Sequence, residues 1–252
     1  MKKTLLVTLD YPPSIGGVAN YYKNMVDNLN PEKIVILTNQ ENKLLTRLPI
    51  WPKWLPSFIN IYKTAKNENI EMILVGQILP LGTVVWLLSK ILKTPYIIMT
   101  HAMDVTYPLK YPQKKWLIKK ILNKAFRVTT VSRFTEKQLK NLMTGRNLAK
   151  IETIYPCPNL NISDLNEHKY QELKDKFKSN NEKIILSVGR IVKRKGFDTM
   201  IDVVTQLDKE YKNFKYLIIG EGEYKKELLA KTNHHIKFIN NVPDNELSAY
   251  YK

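Results

Sequence analysis

Gly189-Arg190-Ile191-Val192-Lys193-Arg194-Lys195-Gly196 is the stretch on which the reading of this chain turns. The run before it, Ile184-Ile185-Leu186-Ser187-Val188, predicts a buried strand. The spacing of apolar residues from Phe197 to Val204 predicts a helix. A basic, glycine-bounded loop therefore joins the carboxyl end of a strand to the start of a helix, which is where open α/β sheets bind ligands. A helix start offers free N–H groups and a partial positive charge, both suited to phosphate. Arg190 can fork onto two phosphate oxygens, and Lys195 adds a compact charge. On the loop alone, phosphate binding and a solvated basic turn are evenly matched.

Outward from this loop, strand and helix signals alternate in both directions. Strands are predicted at residues 4–9, 33–38, 72–75, 95–99, 127–131 and 151–154, and helices at 18–29, 57–67, 81–92, 113–126 and 132–143, with Ser132 as N-cap of the last. Between the first strand and its helix lies Asp10-Tyr11-Pro12-Pro13-Ser14-Ile15-Gly16-Gly17, whose paired glycines let backbone approach a ligand or take positive φ. Pro156, Pro158, Asn159, Asn161 and Ser163 read as linker, followed by a polar helix at 165–178. A second series then begins with the 184–188 strand. It continues through a strand at 216–219, the turn Gly220-Glu221-Gly222-Glu223, a helix at 224–231, a strand at 236–239 and a last helix from Asp244. Alternation of this kind predicts parallel sheets covered on both faces. The expected organisation is an N-terminal Rossmann-like domain over residues 1–160, a linker and polar helix over 161–182, and a partial C-terminal Rossmann-like domain over 183–252.

Composition narrows the function classes. The 252 residues are 44% hydrophobic, enough for a real core, and carry a formal charge of +17 with a pI near 9.7. Such a balance favours polyanionic partners: nucleic acid, an anionic membrane face or phosphate-rich ligands. No helix-turn-helix, RNP or zinc pattern supports nucleic acid. The single cysteine, Cys157, precludes an internal disulfide and fits a reducing compartment. Residues 72–89 carry no charge and are long enough to raise the question of a membrane span, but Gly76-Gln77, Pro80 and Gly82 break the run early. The expectation is strand, turn and helix, with no spanning segment. The N-terminal Met-Lys-Lys-Thr imitates a signal peptide, yet its apolar run stops at Asp10 and no small-residue cleavage site follows. G-x-G-x-x-G is absent, which argues against a nicotinamide cofactor. Asp-x-Asp is absent too, so a divalent metal has no obvious ligand pair. His234-His235 suggests a metal at first sight, but neighbours on a chain are expected to point apart and no Cys or acid cluster joins them, so a structural role is expected.

Several patches together resemble the GT-B glycosyltransferases of family 4, over the whole chain. They are the Gly16-Gly17 loop, Thr100-His101-Ala102-Met103-Asp104 (similar to T-x-H-G-x-D with Ala102 for Gly), Val131-Ser132-Arg133-Phe134-Thr135, and Gly189-Arg190 with Lys195-Gly196. Val242-Pro243-Asp244-Asn245-Glu246-Leu247 completes the last of them. The Tyr-Pro-Pro-x-Ile-Gly-Gly run looks like the phosphatidylinositol mannosyltransferase type. The resemblance implies an α/β GT-B fold and a retaining transfer of a hexose from a nucleotide-diphosphate sugar to an acceptor held between two Rossmann-like domains. It implies that Arg190, Lys195, Gly16 and Gly17 serve the donor diphosphate. It further implies that His101 contacts the transferred sugar, and that no cofactor or metal is needed beyond the nucleotide-sugar co-substrate. Two departures stand out. The family's E-x7-E motif is expected to follow Lys252 by a few tens of residues, so the chain is expected to be a fragment or truncated form with an incomplete donor site. Tyr155-Pro156-Cys157-Pro158-Asn159 replaces the usual Asn-Gly-Val-Asp.

Residues 105–135 contain no acid. Tyr107, Lys114, Lys115, Trp116, Lys119 and Lys120 are therefore expected to form an acceptor or membrane surface, with Leu117 and Ile121 as its apolar stripe between basic rims; the alternative is that Leu117, Ile118, Ile121 and Leu122 are the core face and the lysines are solvated. Trp51-Pro52-Lys53-Trp54-Leu55-Pro56-Ser57-Phe58 adds a second aromatic segment. The expected partners are a nucleotide sugar, a lipid or lipid-linked glycan acceptor and an anionic membrane surface, with no nucleic acid. The expected location is cytoplasmic, peripheral at the inner face of the cell membrane. The alternatives are a non-catalytic membrane- or partner-binding scaffold on the same fold, and an epimerase built on it.

Overall fold

Strand and helix alternate along the chain as the apolar spacing predicts. The computed structural model describes residues 1–14, 16–49, 51–143, 145–157, 167–177, 182–240 and 242–252. The chain divides into two units, Met1–Pro158 and Asn159–Lys252. Residues 158–166, where most of the linker is expected, lie outside the described set, as does Ile15 of the Gly16-Gly17 loop.

The first unit runs β1 (Thr4–Val7), α1 (Gly17–Asp27), β2 (Ile34–Leu37), α2 (Leu55–Asn67), β3 (Met72–Val75), α3 (Thr83–Leu92), β4 (Tyr96–Thr100), α4 (Ala102–Thr106), α5 (Pro112–Lys124), β5 (Arg127–Thr130), α6 (Arg133–Lys140) and β6 (Ile151–Thr153). Its sheet is parallel throughout, in the order β2-β1-β3-β4-β5-β6. Side chains alternate across the strands. Leu5 and Val7 join the core that includes residues of α2, α3 and α5, whereas Leu6 meets Tyr22 of α1 on the other face. Both faces are thus covered, which is why the strands read as unbroken apolar runs. The uncharged 72–89 stretch resolves into β3, a turn at Ile78–Gly82 and α3. Among the described residues no helix is long and apolar enough to cross a membrane. Ser132 caps α6 as expected, its hydroxyl accepting from Thr135 N at 3.2 Å.

The second unit runs α7 (Glu167–Phe177), β7 (Lys183–Val188), α8 (Phe197–Leu207), β8 (Phe214–Ile219), α9 (Lys225–Leu229), β9 (Ile236–Ile239) and α10 (Asp244–Tyr251). The sheet is parallel, in the order β7-β8-β9. One face is sealed by Ile201 and Val204 of α8 against Phe214, Tyr216 and Ile218. The other is sealed by α7, the helix expected beside the linker. Leu173 and Phe177, four residues apart on one side of that otherwise polar helix, pack with Leu217 and with Ala249 of α10.

Candidate functional site

In the first unit β1 has β2 on one side and β3 on the other, so the chain reverses its direction of winding between β1 and β3. Ligands of open α/β sheets bind at such a switch point, outside the carboxyl ends of the strands. A polar cluster occupies that place. Gln77, just past β3, donates from Nε2 to Thr8 Oγ1 at 3.2 Å and to Asp10 Oδ2 at 2.9 Å, and its Oε1 accepts from Leu9 N at 3.1 Å. Asp10 N donates to Thr8 Oγ1 at 3.1 Å. A Cβ on Gly76 would lie 2.6 Å from Thr8 Oγ1 and 3.0 Å from Tyr22 Oη, so glycine alone lets the two strand ends and α1 converge here.

His101 follows β4 and opens α4, a helix the sequence reading leaves unassigned. Its Nε2 lies 2.9 Å from Tyr22 Oη, and that hydroxyl lies 2.7 Å from Gly76 O. A carbonyl oxygen can only accept, so the single tyrosine proton goes to Gly76. Tyr22 Oη must then accept from His101, which fixes the imidazole as the Nε2–H tautomer and leaves Nδ1 as an acceptor. Tyr21 and Tyr22 hold the ring edge-on from two sides, each centroid 5.5 Å away. Burial lowers the His101 pKa, with Asp10 opposing, so the neutral ring is favoured.

Asp104 accepts from His101 N at 3.3 Å. Burial pushes its carboxyl up to about 7, against the effect of that hydrogen bond and with a smaller upward contribution from Asp10. Burial also raises the Tyr22 phenol well above its ordinary value, and the nearby Asp104 adds to it. Asp104 is thus a carboxyl that changes charge near neutrality through burial, the kind of perturbation that gathers at functional sites.

Gly16 and Gly17 begin α1, which has no side-chain cap and no acid in its first turn. A Cβ at either position would meet nothing within 4 Å, so protein packing does not demand glycine there and the space beside the helix start is open. In the second unit Arg190 lies just past β7, and Lys195 ends the tight turn Lys193–Lys195. Gly196 then takes φ 71° and hands the chain to α8, a left-handed conformation that favours glycine. Arg190 and Lys195 are exposed, and neither side chain makes a hydrogen bond or ion pair among the described residues. The loop is braced by the one after β8. Gly189 N donates to Ile219 O at 2.9 Å and Ile191 N to Glu221 O at 2.8 Å. A Cβ on Gly220 or Gly222 would strike the carbonyl oxygen of Gly189 or Ile191. The first turn of α8 already holds Asp198, kept below the usual carboxylate range by Thr199 N–H and by the Tyr224 hydroxyl, which donates to it at 3.1 Å.

The acid-free segment divides by face. Tyr107, Tyr111 and Trp116 are exposed, Trp116 at 60%, and Lys114, Lys115, Lys119 and Lys120 are exposed around them. Lys114 lies over Tyr111 at 4.4 Å and Lys120 over Trp116 at 5.6 Å. The expected apolar stripe is not on this surface: Ile121 is 0% exposed and Leu117 packs against the core, because α5 must cover the sheet with that side. In the second aromatic segment only Trp51, at 89%, is a strongly exposed ring, while Trp54 and Phe58 pack inward. The expectation for His234-His235 is also corrected. The rings do not point apart: their centroids are 4.0 Å apart, and Asp208 lies beside them.

Tyr22, Gly76, Gln77 and Thr8 are the site residues that sequence reasoning misses. Tyr22 reads as one more apolar position of an amphipathic helix, and Gly76-Gln77 reads as a strand breaker. The legible signal was a polar Gln directly behind a glycine at the end of a buried strand.

A family model described as Glycosyltransferase Family 4 matches residues 15–161, and one described as glycosyl transferases group 1 matches residues 169–252. The chain is 24% identical over 265 residues to the GDP-mannose-dependent monoacylated alpha-(1-6)-phosphatidylinositol monomannoside mannosyltransferase of Corynebacterium glutamicum, covering 94% of this chain and 67% of that protein. It is 26% identical over 267 residues to an uncharacterized glycosyltransferase of Methanocaldococcus jannaschii, covering 99% and 70%. Among solved structures it is similar to Anabaena HepE in complex with UDP-glucose, with a TM-score of 0.74 and 18% identity over 98% of this chain and 71% of that one. A glycosyltransferase from Rickettsia africae gives 0.70 and 19% over 99% and 70%. The fold class is GT-B.

Proposed function

This chain belongs to glycosyltransferase family 4, and from that premise we propose that it moves a hexose from a nucleotide-diphosphate sugar to a lipid or lipid-linked cell-envelope acceptor. Retention of anomeric configuration and independence of a divalent metal are part of the proposal. The observation that carries it is the loop at residues 189–196, with two unpaired cationic side chains at the carboxyl end of β7. A departing nucleoside diphosphate develops negative charge, and preorganised cations and backbone N–H groups stabilise it where no metal does so. Arg190 takes two oxygens and Lys195 adds a point charge. In the first unit the neutral His101 is held in one tautomer by Tyr22 and by the capping box at the start of α4, where its side chain accepts from the Asp104 backbone N–H, and the fixed ring contacts the transferred sugar. The polar cluster of Asp10, Gln77 and Thr8 supplies further partners at the switch point.

The lipid acceptor is supported by the acceptor named for the Corynebacterium relative and by the exposed Tyr107, Tyr111 and Trp116 among lysines. Aromatic rings of this kind suit the headgroup zone and lysines suit its anionic charge, which supports the reading that the work is done at the inner face of the cell membrane. The test is transfer of radiolabelled sugar from GDP-mannose and from UDP-glucose, in EDTA, to a lipid extract and to water-soluble glycans. Label in the lipid phase supports the reading. Label only in soluble glycans removes the lipid acceptor, and dependence on added metal removes the metal-independent donor site.

A further inference from the structure

We propose that Asp208, His234 and His235 form a zinc site that ties the end of α8 to the start of β9. The site is separate from the donor loop. Phe214 opens β8 and His235 immediately precedes β9, so the cluster lies at the amino end of the second sheet, whereas Arg190 and Lys195 follow the carboxyl end of β7. The inference does not rest on the proposed transfer reaction.

Three observations carry it. One ligand atom from each of the three side chains lies within 4.8 Å of the others. Tetrahedral zinc with bonds of about 2.0–2.1 Å needs ligand atoms roughly 3.3 Å apart, so only a small adjustment is required. His235 is buried and rigidly aimed. Its ring stacks on Phe214 with centroids 4.3 Å apart, and Nδ1 lies 2.8 Å from Phe214 O. Because that carbonyl can only accept, Nδ1 donates to it, while Nε2 meets Asp208 Oδ1 at 2.8 Å in a hydrogen bond whose proton an ion bound at Nε2 would replace. The Nδ1–H held by a backbone carbonyl is the support that metal-ligating histidines have at their second nitrogen, and it aims Nε2 at Asp208. Finally, His234 is exposed and its ring already lies against that of His235, so it closes the site by rotation at the surface. Two imidazoles and one carboxylate are a zinc-type donor set, with water as the fourth ligand.

Lys212 competes with the ion. Its Nζ reaches Asp208 Oδ1 at 2.8 Å, but the side chain is 71% exposed and can swing into water. This gives the proposal a directional consequence that a plain ion-pair account lacks, since removing Lys212 should strengthen zinc binding.

The test is titration of the full chain with zinc chloride by calorimetry, in a Cys157→Ser background and with magnesium as control. Expected are one saturable zinc per chain, no magnesium binding at this cluster, and a zinc-dependent rise in melting temperature. His234→Ala and Asp208→Asn should each weaken binding tenfold or more, and Lys212→Ala should tighten it several-fold. His234 is exposed, so its variant should keep the metal-free melting temperature, which separates lost binding from lost folding. Absence of saturable zinc binding overturns the proposal. So does binding that survives both His234→Ala and Asp208→Asn, which would place the ion elsewhere.

Discussion

Tyr22→Phe removes one oxygen and keeps the ring that fills the space between α1 and the first sheet. Two groups lose their partner: Gly76 O, which accepts at 2.7 Å, and His101 Nε2, which donates at 2.9 Å. A buried polar group left without a partner costs about 1–3 kcal/mol. Gly76 is buried and bears that cost in full, whereas His101 is half-buried and recovers part of it by turning toward water. The expected destabilisation is about 2–3 kcal/mol, or about 4–12 °C in melting temperature for a unit of this size. Urea unfolding followed by tryptophan fluorescence measures the energy. Nitrogen-15 NMR of the His101 ring reports the chemistry: the Nε2–H tautomer in the parent chain, and a mixture once the acceptor is gone. A loss below about 0.5 kcal/mol together with an unchanged tautomer would refute the argument that Tyr22 sets the protonation pattern of His101.

Other perturbations probe the same site and its surroundings. The Asp104 carboxyl is raised to about 7 in the folded chain, from about 4 when unfolded, so its contribution to stability is present below pH ~4 and is lost as pH rises toward ~7. Asp104→Asn should therefore leave stability near pH 4 almost unchanged and raise it at pH 8 by about 2–4 kcal/mol; equal or lower stability at pH 8 in denaturant titrations counts against a buried, high-pKa carboxyl. Gly76→Ala places a methyl 2.6 Å from Thr8 Oγ1 and should cost about 1–3 kcal/mol, read as a lower urea midpoint; a neutral result means the strand ends are looser than described. Trp116→Ala combined with Lys119→Glu and Lys120→Glu should cut co-sedimentation with anionic vesicles at low salt, each lost lysine being worth about 1 kcal/mol, without lowering the melting temperature; full binding by this variant would exclude α5 as the docking face.

The parallel architecture was legible because both faces of each sheet are covered, which leaves strands as short apolar runs such as Met72-Ile73-Leu74-Val75. The loop at residues 189–196 was legible because its chemistry is local: cations, a left-handed glycine and a helix start lie within eight neighbours in sequence. The network around His101 was not, since it joins residues such as Tyr22, Gly76 and His101 that are far apart in sequence and meet only through the order of the strands. Helix α4 escaped notice because five residues between a strand and a proline leave no periodicity to read. The apolar side of α5 was left between a membrane stripe and a core face for a related reason. Spacing reveals that a helix has an apolar face, and only the sheet beneath it reveals where that face points.

The central claim is that Arg190 and Lys195 hold the diphosphate of a nucleotide sugar without a metal. Calorimetric titration of the full chain with GDP and with UDP, in EDTA, tests it directly. Binding of at least one of them is expected, weakened by about tenfold or more in Arg190→Ala and in Lys195→Ala, since losing one charge-assisted hydrogen bond costs roughly 1.5–3 kcal/mol. Affinity that is unchanged in both variants, or that appears only when a divalent ion is added, would contradict the account.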